Sequence, residues 1–156
     1  MTSRQDFTDE EWTRIRRAPL VAGVTISLAD PGGPIEVAKE TMATLRSATL
    51  PPSQEELLAA VALDVQALAQ QKKNPLGDFK PRGGQQVLEE LRGVNEIVTA
   101  KATPQEAEAF RRWLVVAAQA AADAAKEGGF MGFGAEQVSA GEQQMLDQVR
   151  AALSVA

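Results

Sequence analysis

Four carboxylates have the type and spacing to do chemistry in this chain. Asp123 and Glu127 stand four apart, which on a helix places them on one face, a turn from each other. Glu142 follows across a glycine-rich break, and Asp30 stands at a corresponding place in the first half of the chain. Three or four such groups converging would suit a hard cation, Ca²⁺ or Mg²⁺, whose ligands are oxygens. The competing reading is that these acids cap helices and face solvent.

A second grouping is basic. The stretch "KKNPLGDFKPRGG" carries Lys72, Lys73, Lys80 and Arg82, and its two glycines open a helix. Backbone N–H groups and the helix dipole favour an anion there, with Lys80 and Arg82 as its side-chain partners. The Lys-Ser/Thr ending of a phosphate-binding P-loop is missing. A solvated basic loop is the plainer expectation.

The residue types that are absent narrow the chemistry further. The chain of 156 residues has no cysteine, no histidine and no tyrosine. Thiol nucleophiles, disulfides, imidazole bases and the usual zinc ligands are therefore excluded. Glu-x-x-His pairs of the di-iron bundles cannot form either. Catalysis would fall to Asp, Glu, Lys, Arg or a hydroxyl, and the expectation leans away from an enzyme. The net charge of −5 argues against nucleic acid as a partner, since a phosphate backbone calls for a basic surface.

These groups have to be positioned by helices. Alanine, glutamate, glutamine and leucine dominate, and aromatic residues make up only 4%. A hydroxyl residue precedes a Glu by three positions at Thr8, Ser53, Thr103 and Ser139. That spacing is a capping box, in which each side chain satisfies the other's orphan N–H. Pro104 suits a first helical position. The first helix is expected over Asp9 to Arg17, with Pro19 kinking it or starting a new segment. The later inward stripes read Ile35, Ala38, Met42 and Leu45; Leu57, Val61, Val65 and Leu68; Val87, Leu91, Val94 and Val98; Phe110, Leu114, Ala117 and Ala121; and Leu146, Val149 and Leu153. Trp12 and Trp113 fall at apolar helical spacing and are expected in the core. The fold class predicted is all-α: a compact bundle of about six or seven helices in a single domain spanning 1–156, with 1–7 a disordered tail. The run "AAQAAADAA" has almost no bulk and points to a central Ala-rich helix that others approach closely.

The stretch "AAKEGGFMGFGAEQVSAGE" sets Phe130, Met131 and Phe133 among glycines between two helices. They can plug one end of the bundle or present a partner-binding surface. The apolar run after "RIRR" is too short to span a bilayer, and acids precede it, so no membrane segment and a cytoplasmic location are expected.

The chain also contains two similar halves. "LVAGVTISLAD" meets "PGG" and "PIEVAKE"; "LVVAAQAAADAAKE" meets "GGFMGFG" and "VSAGEQQMLDQVRAAL". The pattern of apolar helix, acid, glycine turn and acid-bearing helix resembles the repeated element of the helical tellurite-resistance B family. The resemblance implies a compact helical bundle whose acidic residues bind metal, at positions matching Asp30, Glu40, Glu127, Ser139 and Glu142, with Asp123 one turn earlier. "EGGFMGFGAEQVSAGE" together with "FTDEEW" also resembles a group of bacterial all-helical proteins of unassigned activity. The leading expectation is a small non-catalytic protein that binds another protein or a second copy of itself through Phe130, Met131 and Phe133. The alternative is an acidic divalent-metal-binding stress protein.

Overall fold

The computed structural model describes residues 2–29, 34–127 and 140–155, with side chains for all of these except 34–36 and 125–127. After a short 3₁₀ turn at Arg4–Asp6 come six helices: α1 (Asp9–Ala29), α2 (Pro34–Thr49), α3 (Glu56–Gln70), α4 (Gly84–Lys101), α5 (Pro104–Glu127) and α6 (Ala140–Leu153). No strand occurs among the described residues, so the all-α expectation stands with six helices. No helix among them is long and apolar enough to cross a membrane.

Consecutive helices alternate in direction. Ser27 bonds Glu40, and Gly23 faces Thr44, so α2 runs back along α1. Lys101 meets Glu11, whereas Glu90 meets Arg14 and Arg17, so α4 also opposes α1. Arg111 reaches Asn95 and Thr99 across the 102–103 turn, which turns α5 back along α4. Two helices form the centre: α1 and α5 each pack against all the others. Ala117, Ala118, Ala121 and Ala122 of α5 are fully buried, as the alanine run predicts.

The α1–α2 contact is closest at Gly23. A Cβ built there would lie 2.2 Å from Thr44 Oγ1, so only glycine lets the two backbones come this near. The same closeness changes the face that α2 buries. The predicted stripe through Ala38 and Met42 is wrong: both are exposed, and Glu40, Thr44 and Ala48 point inward. Small and hydrogen-bonding groups fit the narrow gap. Thr44 Oγ1 donates to the Glu40 carbonyl at 2.7 Å, and the Ser27 hydroxyl donates to the Glu40 carboxylate.

Three local expectations change as well. Pro19 does not divide the first helix; it lies within α1, buried between Ala18 and Leu20. A proline inside a helix costs about 3 kcal/mol or more, and the unbroken burial of Ala18 through Ala22 offsets it. Residues 2–7 are not a trailing tail: Thr2 and Phe7 are buried, and the Phe7 ring lies 5.8 Å from Trp12. Ser53 does not cap α3, which begins at Glu56, and the Ser53 hydroxyl makes no hydrogen bond. Both tryptophans are core residues, with Trp12 Nε1 donating to Asp64 at 2.6 Å and Trp113 Nε1 to the Ser47 carbonyl at 2.8 Å.

The start of α3 is served from another helix. The Thr8 box closes as predicted, Thr8 N–H to Glu11 at 2.8 Å and Glu11 N–H to Thr8 Oγ1 at 3.1 Å. In the Thr103 box, Glu106 N–H donates to Thr103 Oγ1 at 3.2 Å, but the Glu106 carboxylate also turns outward from its own helix. It accepts from Leu57 N–H in the first turn of α3 at 3.3 Å, and from Thr2 N–H and Thr2 Oγ1 at 3.1 and 2.9 Å. One buried carboxylate thus joins the chain start, α3 and α5. Glu106→Ala is expected to lower the unfolding free energy by about 3 kcal/mol in urea, and Glu106→Gln by less, because the amide keeps an acceptor oxygen. Equal stability of wild type and Glu106→Ala would show that this junction contributes nothing.

Candidate functional site

The most unusual surface lies on α3. Its positions 59, 63, 67 and 70 are Ala, Leu, Ala and Gln, all exposed, and Leu63 is 64% exposed. After Glu56 the helix carries one charge, Asp64, and that carboxylate is engaged by Trp12. The outward stripe from Ala59 to Gln70 is therefore uncharged. The exposed positions of α4 and α5, by contrast, include Glu89, Arg92, Glu96, Glu108 and Arg112. Single exposed leucines are ordinary on protein surfaces, but a charge-free helix face is not. The Gln66 amide donates to the Thr49 carbonyl at 3.3 Å, which sets the end of α2 beside this face. Two further apolar side chains follow from α2: Met42 is 63% exposed and Leu50, just past the helix end, 65%. The sequence held a sign of this site: Leu63 falls off the Leu57, Val61, Val65 stripe that the core takes.

Of the four acids predicted to hold a metal, the side chains of Asp123 and Glu142 are described. The end of α1 and the start of α6 meet. A Cβ built on Gly141, in the first turn of α6, would lie 3.4 Å from the carbonyl oxygen of Ala29, which ends α1. Asp123, in the last turns of α5, is exposed and accepts from the Gln119 amide at 3.0 Å. Glu142 is buried at the start of α6. Asp30 and the Glu127 side chain lie outside the described residues, as do Phe130, Met131, Phe133 and Ser139. Among the described residues, no three carboxylates lie together in a way that could hold a metal ion.

The basic connector is anchored to the fold. The Phe79 ring lies under the Arg17 guanidinium at 4.8 Å, and Arg17 is in turn bound to Glu90 at 3.0 Å. Leu76 and Phe79 pack against the core. Lys80 and Arg82, the residues expected to hold an anion, are both exposed before α4. Arg82 N–H is taken by the Gln86 side chain at 2.9 Å, and the α4 N-cap, Gly83, supplies no side-chain cap. Lys72 and Lys73, at the other end of the connector, line a cleft instead.

At the opposite end of the bundle, one ion pair shifts a carboxyl. The hydrogen bond from the Lys101 ammonium, supported by Thr8 N–H, holds the Glu11 carboxyl below the ordinary carboxylate range. The fold therefore favours the ionised form; the contribution is present at neutral pH and lost as pH falls through the lowered value. An NMR titration should find Glu11 titrating below the ordinary carboxylate range, and Lys101→Met should bring it back up. A Glu11 titration that ignores Lys101→Met would show that the pair does not persist in solution.

Comparison with protein-family models, with curated proteins and with solved structures gives no match for this chain.

Proposed function

We propose that this protein acts by binding another protein chain, and that the surface it uses is the uncharged outward face of α3. The observation carrying this reading is the exposed Ala59–Leu63–Ala67 stripe, followed by Gln70, on a molecule whose other outer faces carry charge. With neither histidine nor cysteine, the chain has little equipment for chemistry, and association is the activity that its surface favours.

The partner that fits best is a second copy. The stripe reads the same in both directions, so a two-fold axis through Leu63 would bring Ala59 of each copy against Ala67 of the other. Small residues on either side let two helices approach to the usual packing distance. The α2 residues Met42 and Leu50 would extend the contact. A dimer of this kind loses two leucine contacts from a single substitution and places two like charges on the axis.

Sedimentation velocity tests this. The wild type should form a dimer, and Leu63→Lys should weaken it by about 100-fold or more while its circular dichroism and melting stay unchanged. A wild type that remains monomeric at the highest soluble concentration would exclude self-association. Association that survives Leu63→Lys but is lost on replacing Phe130 and Phe133 with Ser would move the binding surface to the connector end.

A second reading, binding of a divalent cation, is favoured by one observation. The end of α1 approaches the first turn of α6, where Glu142 is buried: a Cβ on Gly141 would lie 3.4 Å from the Ala29 carbonyl oxygen. The acids proposed as ligands are Asp30, Asp123, Glu127 and Glu142. Oxygen ligands of that kind would suit Ca²⁺ or Mg²⁺. On this reading, calorimetric titration with either ion gives heat that Asp123→Asn and Glu142→Gln reduce. Absence of heat and of any melting shift at millimolar ion would remove it.

A further inference from the structure

Between α1, α2 and the start of the 71–83 connector lies a cleft in two adjoining parts. The inner part, about 80 Å³, is walled by Leu20, Val24 and Leu76 and closed beneath by Gly23, Ser27 and Thr44. The outer part, about 430 Å³, opens past Leu45 and Pro75 to Lys72 and Lys73. Leu20, Thr41 and Leu76 line both parts, so the two adjoin. No carboxylate lines either part. Glu40 lies behind the inner end, bonded by Ser27, so a negative group would be repelled there and drawn to the lysine rim.

The rim is held in an unusual way. Lys73 N–H bonds the Leu68 carbonyl at 2.9 Å and Lys72 N–H the Ala69 carbonyl at 3.0 Å, the double closure that commonly ends a helix on glycine. Here the left-handed position is Lys72, with φ +57°. A side chain is costly in that conformation, and a cation kept there at the edge of an apolar cleft points to a role for its charge.

The rim also discriminates between anionic heads. Most of its backbone donors are committed: Leu76 N–H to Asn74 Oδ1 at 3.0 Å, and Gly77 N–H to the Asn74 carbonyl at 3.0 Å. No nest of N–H groups is left for a phosphate of the kind held by P-loops, and no guanidinium lines the cleft. Two ammonium groups over an apolar slot match a singly charged head on an aliphatic chain.

We propose that this cleft binds a medium-chain aliphatic carboxylate, its chain between Leu20, Val24 and Leu76 and its head at Lys72 and Lys73. The site is separate from the α3 face, and either can fail without the other. Calorimetric titration of the full chain with decanoate tests it, with decanol and decyltrimethylammonium as the neutral and cationic controls. Decanoate should bind, and both controls should bind more weakly. The double variant Lys72→Gly, Lys73→Gln should weaken decanoate by about tenfold or more. Its melting temperature should not fall, because glycine relieves the positive φ. Thr41→Trp, an exposed position at the junction of the two parts, should block binding. The proposal is overturned if decanoate gives no binding heat at millimolar concentration, if decanol binds as tightly, or if the double variant binds as the wild type does.

Discussion

The close approach of α1, α2 and α5 through small side chains is the constraint on which the rest of the structure depends. At Gly23 the backbone of α1 comes so near α2 that any side chain would overlap Thr44. On α5, four fully buried alanines occupy the positions where larger residues would force the helices apart. Alanine adds little transfer energy of its own. It gains by letting backbones and neighbouring side chains meet at contact distance, where many weak dispersion terms add up. The bulk of the core comes from Trp12, Trp113, Phe110 and Ile15, all fully buried. Phe110 and Trp113 meet edge to face, 5.9 Å between centroids.

Much of this was legible in the sequence, and the misses share a cause. The Thr8 box, the Pro104 start and the stripes of α4, α5 and α6 are local signals, carried within one turn or one helix face. The misses are places where a second segment decides. Periodicity alone puts Met42 of α2 inward, but the gap left by Gly23 admits only Thr44 and Glu40. Pro19 reads as a kink or a new start, and the structure shows one helix running through it. Ser53 has the spacing of a cap, yet α3 begins only at Glu56, and the Leu57 N–H of its first turn is met by Glu106, 49 residues away. Residues 2–7 look like a tail because nothing local shows that Glu106 will hold Thr2.

The same distinction applies to function. The four acids and the glycine-flanked phenylalanines stand out by composition. The α3 face and the lysine-rimmed cleft do not stand out by composition. The first is visible as Leu63 lying off the core stripe, which a helical wheel reveals once Leu57, Val61 and Val65 are assigned inward. The second requires α1, α2 and a connector at once, and its clearest sign is a backbone angle. The two differ in physical kind as well. One is a flat, uncharged face suited to another helix, and the other is a narrow apolar slot with a cationic mouth.

Native-state hydrogen exchange measures the alanine-packed centre most directly. If α1 and α5 form one cooperative interior, the amides of residues 15–26 and 113–122 should exchange only through global unfolding. Their opening free energies should then equal the stability measured in denaturant. Exchange of residues 113–122 through smaller openings, at rates like those of the exposed connector 71–83, would contradict a bundle built around that centre.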